Sequence, residues 1–273
     1  MAACKRAQAA DTVRRMSLKI VTWNVNSLKA RADFVSLFLD EESPDILCLQ
    51  ELKLEEDKVP RELFASRGYH LAIHGQPQWN GVLIASRTPI EEVACGLPDG
   101  DDGQARLVAA TTAGIRFVNL YCPQGQRVDS PKFAYKLGFF RALNAWLRAN
   151  CDPASGLVVL GDINIAPTTD DIWDAEKWAG TPSFHPDEHE LYGQLLDFGL
   201  HDAVAPYIEP GTFSFWDYRA GMFRFNQGMR IDHILVSASL RGRVTGAVIH
   251  RPWRKKKEGL TPSDHAPVSV VMG

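Results

Sequence analysis

The stretch Leu157-Val158-Val159-Leu160-Gly161-Asp162-Ile163-Asn164 decides how the rest of this chain is read. Its first four residues are aliphatic and rich in β-branching, the composition of a short buried strand. Gly161 is expected to break that strand. A carboxylate and an amide follow two residues apart, a spacing that sends both side chains off the strand end on one side. Gly, Asp and Asn also favour plain turns, so the stretch alone is equally consistent with a simple strand exit. Polar groups at the end of a buried strand need water, a metal or a substrate, because burying them unpaired is costly.

The arrangement recurs along the chain. Leu18-Lys19-Ile20-Val21-Thr22-Trp23 runs into Asn24-Val25-Asn26, and Asp45-Ile46-Leu47-Cys48-Leu49-Gln50 runs into Glu51. Ile115-Arg116-Phe117-Val118-Asn119-Leu120-Tyr121 is followed by Cys122-Pro123-Gln124-Gly125, and Arg230-Ile231-Asp232-His233-Ile234-Leu235-Val236 holds an acid inside a strand pattern. Ser263-Asp264-His265-Ala266-Pro267-Val268 then brings an Asp-His pair up to the last apolar strand. Together these segments supply Asn24, Asn26, Glu51, Tyr121, Asp162, Asn164, Asp232, Asp264 and His265. A single acid at a strand end is more often solvated than liganding. Several at once, with oxygen donors prevailing over sulfur, point to a hard cation such as Mg²⁺ or Mn²⁺. No Cys or His pair has the spacing of a structural zinc site.

Helical periodicity over residues 33–42, 132–150 and 188–198 marks apolar stripes that belong to the core. Hairpin-like stretches at 80–86 and 105–112 complete an α/β pattern with mixed sheets. The chain has 273 residues, 45% of them apolar, with no linker or repeat, so residues 17–273 are expected to form one domain. No apolar run approaches the roughly 20 residues of a bilayer span. The five cysteines are odd in number and scattered, which favours reduced thiols and a cytoplasmic setting. Residues 1–16, rich in Ala, Arg and Lys, lack a secretory core. They read as a tail without catalytic role, with an organellar presequence or an upstream start before Met16 as alternatives.

A net charge of −3 is unlike that of a nonspecific nucleic-acid binder. That argument is weak, since a metallonuclease site is itself acid-rich and phosphate binding needs only local basic groups. Arg251-Pro252-Trp253-Arg254-Lys255-Lys256-Lys257 runs almost directly into the Asp-His segment, so Arg254 and Lys255 are expected to contact phosphate, with Lys29, Arg31 and Arg219 as further candidates.

On these residues the chain resembles the exonuclease III family of abasic-site endonucleases, within the endonuclease/exonuclease/phosphatase superfamily. The matching motifs are Thr22-Trp23-Asn24-Val25-Asn26-Ser27-Leu28, Leu49-Gln50-Glu51-Leu52-Lys53, Asn80-Gly81-Val82 and Tyr121-Cys122-Pro123-Gln124-Gly125. Gly161-Asp162-Ile163-Asn164-Ile165-Ala166-Pro167, Phe215-Trp216-Asp217-Tyr218-Arg219, Arg230-Ile231-Asp232-His233-Ile234-Leu235 and Ser263-Asp264-His265-Ala266-Pro267-Val268 complete them in the family's order. The resemblance implies a four-layer α/β sandwich, two mixed β-sheets packed face to face with helices outside, and a site where loops from both sheets converge.

It implies roles as well. Glu51 with Asn24 would hold Mg²⁺ (or Mn²⁺), with Asp162, Asn164, Asp264 and His265 also at the metal site. Asp162 would activate or orient water, Asn164 would donate to the phosphate, Tyr121 would touch it, and His265 would flank it, oriented by Asp232. Whether Asp162 or His265 is the base stays open. Some family members carry Asp where Asn26 stands, which would weaken a second metal position. Asn26 and Gln124 are candidate DNA contacts, and Phe215, Trp216, Met229 and Ile231 would line a slot for an abasic sugar.

The implied activity is incision of duplex DNA 5′ to abasic sites, with 3′-exonuclease and 3′-phosphodiesterase or phosphatase activity, by a monomer without a membrane partner. The loop over residues 173–190 is expected to set the balance among these activities. Another phosphoesterase of the superfamily, or a catalytically inactive DNA-binding relative, is the rival reading.

Overall fold

The computed structural model describes residues 17–273, so the reading of residues 1–16 lies outside it. Among the described residues, twelve strands follow one another: β1 Leu18–Asn24, β2 Ile46–Gln50, β3 His70–His74, β4 Val82–Ser86, β5 Ile90–Cys95, β6 Leu107–Thr112, β7 Ile115–Tyr121, β8 Leu157–Asp162, β9 Leu200–Asp202, β10 Asp232–Ser237, β11 Val244–Ile249 and β12 Val268–Met272. Three longer helices interrupt them: α1 Leu28–Glu42, α2 Pro131–Asn150 and α3 Pro186–Asp197. The strands form two six-stranded sheets, ordered β11-β12-β1-β2-β4-β3 and β5-β6-β7-β8-β10-β9. Each sheet contains one parallel pair, β1 with β2 and β7 with β8, among antiparallel neighbours.

Strand composition explains the layering. In β2, Ile46 and Cys48 face the opposite sheet, whereas Leu47 and Leu49 face α1. A strand covered on both faces buries every side chain, so β2 is apolar up to Gln50, whose buried amide donates to Thr22 of β1 and Asn119 of β7. The inter-sheet core joins Ile20, Ile84 and Val270 of one sheet to Phe117, Leu160 and Ile234 of the other. Phe34 and Phe38 of α1 seal the outer face of the first sheet against Trp23 and Leu49. Phe140 and Leu143 of α2 with Leu195 of α3 seal the second against Val118 and Val159. The result is the expected four-layer α/β sandwich, helix, sheet, sheet, helix.

Several local expectations are corrected. β8 continues through Gly161 to Asp162, because the glycine pairs with Leu120 in the parallel ladder. There its φ is +138°, and a Cβ would lie 2.0 Å from the Leu120 carbonyl oxygen, so only glycine keeps the strand going. β10 begins at Asp232, leaving Arg230 and Ile231 before the strand. Helix α1 starts at Leu28, five residues earlier than its periodicity suggested, since the Ser27 hydroxyl accepts from the Ala30 amide at 3.3 Å. Edge or peripheral strands β3, β5, β9 and β11 were not legible. β9 has three residues, and β5 is mostly solvent-facing, so neither shows a buried pattern.

Candidate active site

Both parallel pairs end at the same edge of the sandwich. Asn24 pairs with Gln50 at the end of β1 and β2, and Tyr121 with Asp162 at the end of β7 and β8. Asp232 opens β10 directly opposite Asp162. Just past these ends, Asn26, Glu51 and Asn164 take left-handed backbone conformations, with φ of 45°, 54° and 56°. Such residues cost about 1–3 kcal/mol each and persist where the surroundings hold them. The side chains of Asn26 and Asn164 therefore reach the site through a left-handed turn, not through the simple two-residue pleat expected from their spacing.

The polar groups are tied to one another. The Asn24 amide Nδ2 donates to Glu51 Oε1 at 2.8 Å and to Asp162 Oδ2 at 2.9 Å. The Asn26 backbone N–H donates to Asn24 Oδ1 at 2.9 Å, while its side-chain amide donates to Asp264 Oδ1 at 3.1 Å. Lys53 Nζ bridges Asn26 Oδ1 at 2.6 Å and Glu51 Oε2 at 2.9 Å. Asn164 donates to the Cys122 carbonyl at 2.9 Å. His265 Nδ1 meets Asp232 Oδ2 at 2.8 Å, its Nε2 lies 3.8 Å from Asp162 Oδ2, and the Ser214 hydroxyl donates to Asp232 Oδ2 at 2.6 Å.

This arrangement sets protonation. Burial opposes a charged imidazole, but the Asp232 and Asp162 carboxylates outweigh it and raise the His265 pKa to about 10. Burial pushes Asp162 up, His265 pulls it down and Asp232 pushes it up again, for a pKa of about 7. Glu51 moves the other way: burial would raise it, yet Lys53 and the Asn24 amide hold it below the usual carboxylate range. Tyr121 is raised well above the phenol range by burial and by the Glu51 and Asp162 charges, so it keeps its proton.

A cavity of about 350 Å³ opens beside these groups, lined by Glu51, Tyr121, Gln124, Asp162, Asn164, Asp264 and His265 on the polar side. Phe215, Met229, Ile231, Trp173 and Trp178 form its apolar wall. Met229 and Ile231 pack with Ala166, Ile172 and Phe184 behind it. Arg219 stands at the rim, its side chain 87% exposed and paired with Asp217. Arg31 donates to the Tyr218 hydroxyl at 3.1 Å and to the Asn26 carbonyl. Lys29 is exposed on α1.

Other candidates are placed differently. Trp216 is fully buried and packs in the inter-sheet core, not on the cavity wall. Trp253 packs against Phe34 and Phe38, with ring centroids 5.5 and 4.9 Å apart. Arg254 is 7% exposed, donates to the Trp216 carbonyl at 3.1 Å and lies over the Tyr218 ring, so its charge serves the protein interior. Of the expected pair of phosphate contacts, only Lys255 remains at the surface.

The loop 173–190, expected from the sequence to matter for the site, brings Trp173, Trp178, Pro182 and Ser183 to the cavity, whereas Ser214 and Lys53 belong to the site without a role assigned from sequence. Ser214 had no local signal. Lys53 lies two residues from Glu51, inside a motif already in view.

The donor set suits a hard divalent cation. Glu51 is ionised on the cavity wall, and Asp162 and Asp264 face the same space. Asn24 turns its amide Nδ2 toward Glu51 and Asp162 and gives its oxygen to the Asn26 N–H, so it orients the two carboxylates and offers no oxygen to a cation in this arrangement. Asp162, Asp232 and His265 also bring one ligand atom each within 4.8 Å of one another. There, however, the imidazole and Asp232 are spent on each other, and a protonated ring has no lone pair for a metal.

Comparison with known proteins agrees with this fold. A family model described as the Endonuclease/Exonuclease/phosphatase family matches residues 21–265. Exodeoxyribonuclease III of Haemophilus influenzae is 34% identical over 92% of this chain and 98% of its own length. A 3′ phosphatase from Neisseria, solved bound to a product DNA hairpin, superposes with a TM-score of 0.88 at 41% identity, covering 94% of this chain and 99% of that one. An AP endonuclease from Archaeoglobus fulgidus superposes with a TM-score of 0.87 at 37% identity, covering 93% and 99%. With two mixed sheets whose parallel pairs deliver these carboxylates and amides to one cleft, this chain belongs to the exonuclease III branch of the Endonuclease/Exonuclease/phosphatase family and is a nuclease.

Proposed function

We propose that the chain is a Mg²⁺-dependent DNA-repair nuclease that hydrolyses the phosphodiester 5′ to an abasic site in duplex DNA. We further propose that it trims 3′ ends as an exonuclease and as a 3′-phosphodiesterase or phosphatase. The observation that carries this reading is the Asp162–His265–Asp232 line, of which Asp162 and His265 face a cavity with an apolar opposite wall.

Hydrolysis in line at phosphorus needs an oriented water, a proton acceptor and donors on the phosphoryl oxygens. Asp162, with a pKa of about 7, is suited to accept the water's proton near neutrality. His265 is cationic below about pH 10 and serves as a hydrogen-bond donor to a phosphoryl oxygen, with Asp232 holding the ring. This assignment favours Asp162 over His265 as the base. The Tyr121 hydroxyl and the second N–H of the Asn164 amide add neutral donors. Glu51, oriented by the Asn24 amide and with Asp162 and Asp264 beside it, would hold Mg²⁺ or Mn²⁺. When bound, the cation supplies positive charge to the phosphoryl and leaving oxygens. Phe215, Met229 and Ile231 offer an apolar surface that an extruded sugar without a base can enter at little stacking cost.

The test is one gel assay with abasic, 3′-phosphate and blunt duplexes, each in Mg²⁺ and in EDTA. Metal-dependent incision at the abasic site with trimming of the other substrates is expected. Cleavage of none of the three would sink the reading, and hydrolysis of a phosphoinositide in their place would move the chain to the other superfamily branch.

A further inference from the structure

The most deeply buried ion pair beneath the site belongs to none of the groups assigned above. Lys136 of α2 and Glu188 of α3 are both 0% exposed, with Nζ 2.5 Å from Glu188 Oε1. The ammonium also donates to the Asn164 carbonyl at 2.7 Å and to the Gln124 carbonyl at 3.3 Å. Its stem packs beneath Gly125, where a Cβ would meet Lys136 Cδ at 3.2 Å. Glu188 is fixed in turn by the start of α3, accepting from the His185 amide at 3.2 Å in a capping box. One cation therefore joins two helices to the two loops that leave β7 and β8.

A fully buried ion pair is poor evidence for stability, because desolvating both charges consumes most of their attraction. What this pair does have is position. Asn164 sits at a φ of 56°, a conformation a non-glycine residue keeps only when held. Its carbonyl is held by Lys136, its backbone N–H donates to Asp162 Oδ1 at 3.1 Å, and its side chain donates to Cys122.

We propose that Lys136, neutralised by Glu188, is a positioning residue that pins the Asn164 and Gln124 backbones so that the Asn164 amide and the Tyr121–Gln124 loop face the scissile phosphate. This rests on the reading that the cavity receives that phosphate.

Two variants test it. The double substitution Lys136→Met with Glu188→Leu removes both charges and keeps an apolar filling, a change such sites commonly tolerate. Glu188→Gln keeps the Lys136 amine, which donates to both carbonyls even if it loses its proton, and preserves the capping box. Expected is a folded double variant whose kcat falls at least about 10-fold, with KM within about 3-fold, because misplacement costs rate more than binding. Glu188→Gln should keep kcat within about 3-fold of the parent even if it melts earlier.

Hydrogen exchange of the metal-free proteins gives a readout independent of turnover. Peptides covering residues 121–125 and 163–166 should exchange faster in the double variant, and those of the inter-sheet core should not. Wild-type kcat and unaltered exchange in a folded double variant would overturn the proposal, as would a Glu188→Gln protein with less than about a tenth of parental kcat. If the double variant does not fold, Glu188→Gln decides by that same threshold. If the parent cleaves no DNA, the functional reading fails, and the exchange result alone judges the positioning role.

Discussion

Replacing Asp232 by asparagine isolates the electrostatic half of the catalytic line. Asp232 is 0% exposed, and its Oδ2 lies 2.8 Å from His265 Nδ1, with the Ser214 hydroxyl on the same oxygen. The introduced amide can keep an oxygen in that place, so shape is retained and charge is lost. At 2.8 Å and an effective dielectric near 20, the attraction is about 6 kcal/mol gross. That equals about 4 pKa units, enough to bring His265 from about 10 down to about 6. At about pH 8 only on the order of 1% of the imidazole would then be protonated.

The sign follows: His265 is the required cation, so lowering its pKa removes activity on the alkaline side and spares it on the acid side. The descending limb of kcat against pH should move from near 10 to near 6. The rising limb, set by Asp162, feels two opposed changes, loss of the lowering His265 charge and loss of the raising Asp232 charge, so the descending limb is the diagnostic one. At about pH 8, kcat should fall about 10²-fold, the size expected for loss of one preorganised donor. Single-turnover cleavage of abasic duplex at saturating Mg²⁺ across about pH 5 to 10 measures it, with circular dichroism to confirm folding. A descending limb that stays near 10, or a kcat within about 3-fold of wild type at about pH 8, refutes the role given to Asp232.

Three further outcomes are expected. Glu51→Gln keeps an acceptor for the Asn24 amide but removes the charge, so the Mg²⁺ concentration for half-maximal rate should rise at least about 10-fold; an unchanged metal titration would remove Glu51 from the metal site. Met229→Ala enlarges the apolar wall and should lower abasic incision about 10-fold while altering 3′-phosphatase turnover much less; equal losses would argue against a sugar slot there. Gly161→Ala forces a Cβ to 2.0 Å from the Leu120 carbonyl oxygen and should cost about 3 kcal/mol or more in urea unfolding. A midpoint equal to wild type would show that β7 and β8 can separate freely at that point.

Much of the architecture was written locally. Apolar runs at β2, β8 and β12 announce buried strands, because a strand covered by a helix on one face and a sheet on the other cannot alternate freely. β1, β7 and β10 show strand patterns with polar residues among the apolar ones. The polar residues that end those runs mark the site for the same reason: buried strand termini tolerate such groups only where something binds them. Motif order therefore carried the family, the layers and the principal carboxylates, Glu51, Asp162 and Asp232.

What the chain could not announce was decided by packing between distant segments. Ser214 reaches Asp232 across 18 positions, and Lys136 reaches the Asn164 carbonyl across 28. Trp216, Trp253 and Arg254 sit in motifs or basic runs that read as surface contacts, yet the fold buries them, in the inter-sheet core beside Phe223, against α1 and over Tyr218. The protonation states of Asp162 and His265 likewise arise only once three carboxylates and an imidazole share a water-poor space. Local periodicity reports which groups leave the core together. Burial, charge and neighbour are properties of the assembled sheets, where the Coulomb and desolvation energies are set by distances that no sequence spacing encodes.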